Sequence, residues 1–229
     1  MATPTPPPHP SPKARGLRLV PALLVMTVVS GLIDAASYLG LGHVFTANMT
    51  GNVVILGFAA AGAPGFSVPH SLVSLASFLA GAVTGGLTER RYGTTSRRAW
   101  TRITFGVEAV LVGVAAAVAF TAPHAPDTHG TRYAAIALTA YAMGLRVATV
   151  RKLGVADLMA TTVLTTTLTK LASDSPAEGG TARRVASVLS LLLGAVIGGW
   201  LMIHHGLPAA LLAASLTTAA LAVTVTGRE

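Results

Sequence analysis

Six apolar runs, each close to twenty residues long, constrain this chain more than anything else in it. They lie at about 18–40, 70–89, 102–121, 132–151, 185–204 and 207–226. A helix needs roughly 20 apolar residues to cross a hydrocarbon core. Only helices or closed barrels satisfy their backbone polar groups there, so runs of this length specify a polytopic all-α membrane protein. The charge content agrees: only 10% of the 229 residues are charged, against about 25% in a typical soluble domain.

Two further segments, 44–62 and 155–172, are too polar to read as simple spans. The first is interrupted by Asn48, Thr50, Gly51 and Asn52, and the second carries Thr161, Thr162, Thr165, Thr166, Thr167 and Thr169. Basic residues decide how they run, because cytoplasmic loops are enriched in Lys and Arg. Lys13, Arg15 and Arg18 precede the first run, and Arg90, Arg91, Arg97, Arg98 and Arg102 follow the second. Both clusters belong on the same side, so an even number of crossings separates them. That requires 44–62 to enter the membrane and return. If 155–172 does the same, all 16 basic residues except Arg132 and Arg146 are cytoplasmic, and so are both termini. The expected fold is therefore six transmembrane helices plus two re-entrant or broken segments. Residues 1–17, with Pro4, Pro6, Pro7, Pro8, Pro10 and Pro12, read as a disordered cytoplasmic tail. Residues 18–226 form a single membrane domain, with an uncleaved first span.

A repeat at a spacing of 113 runs through that domain. SLASFLAGAVTGG at 74–86 matches SVLSLLLGAVIGG at 187–199, and Gly31-Leu32 matches Gly144-Leu145. The repeats span about 18–121 and 131–226. Three crossings per repeat place the second copy upside down, giving an inverted 3+3 repeat, an architecture common among transporters. Gly81/Gly85 and Gly194/Gly198 form a small-xxx-small pattern at matched places, which lets helix backbones approach closely.

The polar residues inside the spans are the functional candidates. Asp34 in the first span and Arg146 in the fourth each cost about 2.5–3.5 kcal/mol at a helix centre on insertion scales. A mutual ion pair is the simplest expectation; a proton- or ion-coupling carboxylate at Asp34 is the sharper one. Glu108 in the third span is a second acidic candidate. Asn48, Thr50, Gly51 and Asn52 are expected to face Thr162, Thr165 and Thr166 across a path for a small solute or ion. The alternative is that these amides and hydroxyls are interhelical contacts, worth about 0.6–2 kcal/mol each.

Several classes are excluded. The chain has no Cys, so it has neither disulfides nor a thiol nucleophile. No zinc arrangement, phosphate-cradling loop or catalytic triad has credible spacing, so no catalytic residue, metal or cofactor is expected. The net charge of +8 is an orientation signal at span ends and not a nucleic-acid surface. The partners are the lipid bilayer and a small solute or ion, and association into an oligomer is compatible with this reading. Two functions stand side by side: a small transporter or channel, and a membrane scaffold or partner subunit whose polar segments only pack.

The motifs Gly31-Leu-Ile-Asp34-Ala and Phe45-Thr-Ala-Asn48-Met-Thr50-Gly51-Asn52, with Met143-Gly144-Leu145 and the Thr-rich segment from Thr161, resemble the YoaK-like family of bacterial membrane proteins. Arg146 stands where that family usually has Gln, and Thr165-Thr166-Thr167 where it has Thr-Gly-Thr. The resemblance implies a bacterial inner-membrane protein with a domain of unknown function, and it brings no substrate.

Overall fold

The computed structural model of the chain describes residues 19–92, 97–121, 129–153 and 181–225. The Pro-rich tail and segment 155–172, with Thr162, Thr165 and Thr166, lie outside the described residues. Helix α1 spans Leu19–Gly40, α2 Met49–Ala60, α3 Val68–Tyr92, α4 Arg97–Thr121, α5 His129–Leu153 and α6 Thr181–Thr224. Five of these are long and apolar enough to cross a membrane, the last over 43 residues. At 1.5 Å per residue that length is about 65 Å, twice the hydrocarbon thickness. It is accommodated by a break at Gly206, where φ is 81° and ψ 174°. Pro208 just beyond starts the second arm.

Local chemistry fixes the element ends. The Ser67 hydroxyl accepts from the His70 amide and caps α3, with Pro69 in the first turn where no amide is needed. Helix α2 starts at its cap Asn48, whose side chain accepts from the Gly51 amide. It ends at Gly62 (φ 82°), with Gly62 N–H bonded to Ala59 O and Ala63 N–H to Phe58 O. That paired closure is the Schellman arrangement.

The contacts give the helix directions. Gly194 lies on the Val28 carbonyl, Gly198 on Leu32 and Gly40 on Met202, so α1 and the first arm of α6 run parallel. Gly144 lies on the Phe78 carbonyl and Gly85 on Ala148, so α3 and α5 also run parallel. Arg102 Nε donates to Ala222 O and Ser215 Oγ to Ala109 O, so α4 and the second arm of α6 are antiparallel. Arg146 meets Glu108 while Thr149 meets Thr104, which makes α4 and α5 antiparallel as well. Hence α1, α4 and the first arm of α6 point one way, and α3, α5 and the second arm point the other. The two arms of α6 are two crossings.

The closest helix contacts depend on missing side chains. A Cβ on Gly31 would overlap the Leu191 carbonyl, and one on Gly144 would overlap the Phe78 carbonyl. Gly81 stands likewise on Tyr141, and Gly194 on Val28. In each of these two pairs both partners are related by the same step of 113 residues. α1 therefore packs on the first arm of α6, and α5 packs on α3. The apolar core between them holds Val29, Ile33, Ala36, Val112, Met143, Leu211 and Ala214. Leu79, Val83, Leu192 and Val196 point outward as lipid-facing side chains.

Candidate functional site

The inner face of α1 carries a polar stripe. Ser30, Asp34 and Ser37 follow a spacing of four and three, which keeps them on one side of the helix, and all three are buried. Ser37 and Ser30 satisfy themselves on carbonyls one turn back, Asp34 O and Met26 O respectively. Asp34 cannot do so, and the chain comes back to it. After Gly40 the backbone turns through Gly42 (φ 88°) and His43 (φ 58°). It returns until Thr46 N–H and Ala47 N–H both donate to Asp34 Oδ1, at 3.0 and 2.8 Å. Asp34 lies six residues before Gly40, so the return reaches about 9 Å back along α1.

The returning loop is held by a second buried side chain. Asn52, 0% exposed, accepts from Phe45 N–H at 2.8 Å and donates to Phe45 O at 2.5 Å. It also donates to Ser74 Oγ at 3.0 Å, and Ser74 in turn donates to Phe45 O at 2.7 Å. The amide thus pairs with both backbone groups of one residue, as a neighbouring strand would. Tyr38 stacks on the Phe45 ring, with centroids 4.9 Å apart. Gly51 faces that same Phe45 ring and the Asn48 side chain.

This geometry revises the role of the first polar cluster. Asn48 is a helix cap and Asn52 a loop tie, while Thr50 is exposed. Their expected partners Thr162, Thr165 and Thr166 lie outside the described residues, so the facing arrangement has no structural statement here. Asn48 and Asn52 do not present a shared open face, because Asn48 precedes the first helical residue and its side chain bonds back to the helix.

The expected Asp34–Arg146 ion pair is not formed. Arg146 pairs instead with Glu108, through Nε to Oε2 at 2.9 Å and a second, short contact from Nη2 to Oε1. Its Nη1 donates to Ser30 Oγ at 2.5 Å and to Met26 O at 2.9 Å. The reason is register. Arg146 meets α1 between Met26 and Ser30, one turn inward of Asp34, where Glu108 on α4 is the facing acid. The fork of a guanidinium on a carboxylate makes this the better-bonded pair. Below it Thr149 Oγ1 donates to Thr104 Oγ1 at 3.2 Å, extending the polar interior towards the other end of α4 and α5. Glu108 sits near the middle of α4, deeper than its place in the apolar run implies.

Asp34, 8% exposed, has no ion-pair partner among the described residues. Beside it the Thr46 hydroxyl is fully buried and lacks a hydrogen-bond partner among the described residues. Gly81, Gly85, Gly194 and Gly198 are packing positions, each on a backbone or side chain of the opposite half.

Comparison with known proteins places this arrangement in a family. Residues 22–224 match the family described as protein of unknown function, DUF1275. The chain is 34% identical over 152 residues to the UPF0700 transmembrane protein YoaK of Bacillus subtilis (strain 168). That match covers 66% of this chain and 65% of the relative, just under two thirds of its length. No solved structure matches the chain. With most of its length inside the family match and its helices long and apolar enough to cross a bilayer several times, this chain belongs to the DUF1275 family of multi-pass membrane proteins, to which the resemblance to YoaK pointed.

Proposed function

We propose that the chain is a transporter or channel for a small solute or ion, working as a carrier and not as an enzyme. The observation that carries this reading is the crossed, matched packing of the two halves. Gly31 on Leu191 and Gly144 on Phe78 are the same contact made twice, 113 residues apart, between helices that run in opposite directions in the two copies. That recurrence supports an inverted repeat, in which one half can rock against the other around a site near the midplane. Segment 44–62 is then a re-entrant element, and its return to Asp34 supports that assignment. The path follows the polar inner face of α1 past Asp34 and not the Asn48–Asn52 cluster, whose amides are engaged. Basic residues support a cytoplasmic side for both termini and for the Arg90–Arg102 segment; an external signal from a reporter fused near Thr95 would overturn that orientation.

One observation favours the scaffold reading: the Asn48 side chain bonds back to its own helix, and Asn52 and Ser74 bond to each other and to Phe45. The two readings separate in purified vesicles. The transport reading expects uptake of one or more small metabolites or ions from a screened set, lost when Gly31 and Gly144 are each replaced by Ala to jam the halves. Uptake equal to that of protein-free vesicles across the screen, with aqueous thiol reagents failing to reach single Cys residues at 34 and 46 in this Cys-free chain, would leave the scaffold.

A further inference from the structure

The buried charges of the described interior do not balance. Asp34, Glu108 and Arg146 are its buried acidic and guanidinium side chains, two acids against one base. Arg146 is committed to Glu108 on both carboxylate oxygens. Asp34 is left with the backbone N–H groups of the returning loop, Thr46 and Ala47 on Oδ1 and Asn48 beside them, and has no ion pair among the described residues. An isolated buried carboxylate is costly enough that such a group neutralises instead of remaining charged.

The groups around Asp34 name the neutralising species. From α5 the facing charge is Arg146, held one turn away on Ser30, and from α4 it is Glu108 behind that arginine. From α3 the titratable group is His70, which lies against Gly42 beyond the end of α1. The returning loop brings His43, which is turned outward to Gly65 O, and Thr46. Helix α2 brings no titratable side chain, and the α6 arms meet this part of α1 through Leu191, Ala195, Leu211 and Ala214. No group of three or more His, Cys, Asp or Glu side chains converges among the described residues. One carboxylate oxygen and one hydroxyl fall short of the six or more oxygens a hard cation takes. They suit a proton: Oδ1 keeps both amide bonds while Oδ2 takes up the hydrogen, which needs no further ligand.

We propose that Asp34 binds one proton, taken up on the side of the loop 41–48 and held while Glu108 occupies Arg146. Uptake converts the Asp34 carboxylate and one proton into the neutral acid, with no other bond changed. Release creates a second anion one turn, about 6 Å, from Ser30, where Nη1 of Arg146 already rests. The guanidinium then has two acids to choose between, which makes it the element that senses the proton. That this proton is the coupling ion rests on the transport reading; the proton at Asp34 does not.

The test is infrared difference spectroscopy of the full chain in lipid vesicles, comparing acidic with alkaline buffer. The wild-type protein is expected to show the carbonyl band of a protonated carboxyl that disappears at alkaline pH. D34N removes the band while leaving the thermal midpoint near that of the wild type, since Asn keeps an oxygen for the Thr46 and Ala47 amides. E108Q/R146Q keeps the band, because Asp34 stays without an ion pair. A spectrum unchanged by D34N, or a band bleached at constant pH by exchanging potassium for sodium, overturns the proposal. Solute uptake is a separate measurement, so either reading can fail alone.

Discussion

Replacing Glu108 by Gln tests the central ionic contact directly. The change keeps the size and one acceptor oxygen but removes the charge facing Arg146, which is itself 5% exposed. Removing one partner of a buried ion pair typically costs about 3–5 kcal/mol. The lower end applies here, because the guanidinium retains Ser30 Oγ and Met26 O. A loss of about 3 kcal/mol corresponds to a fall of roughly 6–12 °C in Tm for a chain of this size. The assay is thermal loss of the monodisperse peak in mild detergent, repeated for R146Q and for the double variant E108Q/R146Q. With both charges gone nothing is left unpaired, so the double variant is expected to be more stable than E108Q alone. D34N combined with R146Q should instead lose no more than R146Q alone, since D34N leaves the midpoint near that of the wild type and the two residues share no ion pair. Additive losses for the Glu108–Arg146 pair, or strong coupling for Asp34–Arg146, would refute the assignment.

Two other perturbations follow from the packing and the loop. Gly31→Leu and Gly144→Leu place side chains into backbone at matched contacts; each is expected to lower folded yield severalfold and by a similar amount, whereas Gly86→Leu, with open space around its Cβ position, leaves folded yield unchanged. Asn52→Leu strands the Phe45 N–H, while Phe45 O keeps the Ser74 hydroxyl. At about 1–3 kcal/mol for a buried unsatisfied group, it should destabilise by at least about 1 kcal/mol and expose 41–48 to proteolysis, while Thr50→Leu on the exposed side leaves both unchanged.

The span pattern was legible because bilayer thickness sets a length scale that apolar runs must meet. Gly81, Gly85, Gly194 and Gly198 were legible as contacts for a related reason: only a missing side chain lets two helix backbones touch. The ion pair was not legible. Asp34 and Glu108 are both acids within reach of mid-membrane, and the choice between them depends on a shift of one turn between α1 and α5, which no single-helix pattern encodes. The polar cluster misled through its period. Asn48 and Asn52 have helical spacing, but an Asn directly before a helical run is also a cap signal, and here the cap prevails. Asn52 became a loop tie because the chain doubles back after Gly40, and the signs of that turn were Gly42 and His43.

The crossed packing of α1 on the first arm of α6 bears on how the protein is made. Val28, Gly31 and Leu32 find their partners only at Leu191, Gly194 and Gly198, after some 160 further residues have left the ribosome. At about 5–20 residues per second, α1 waits on the order of ten to thirty seconds in the membrane with its glycine face bare. Neither half can close on itself in that interval, because each holds the surface the other needs. The bundle is completed only when the α6 hairpin arrives. Until then the first helix depends on lipid, or on the insertion machinery, to keep it from a wrong neighbour.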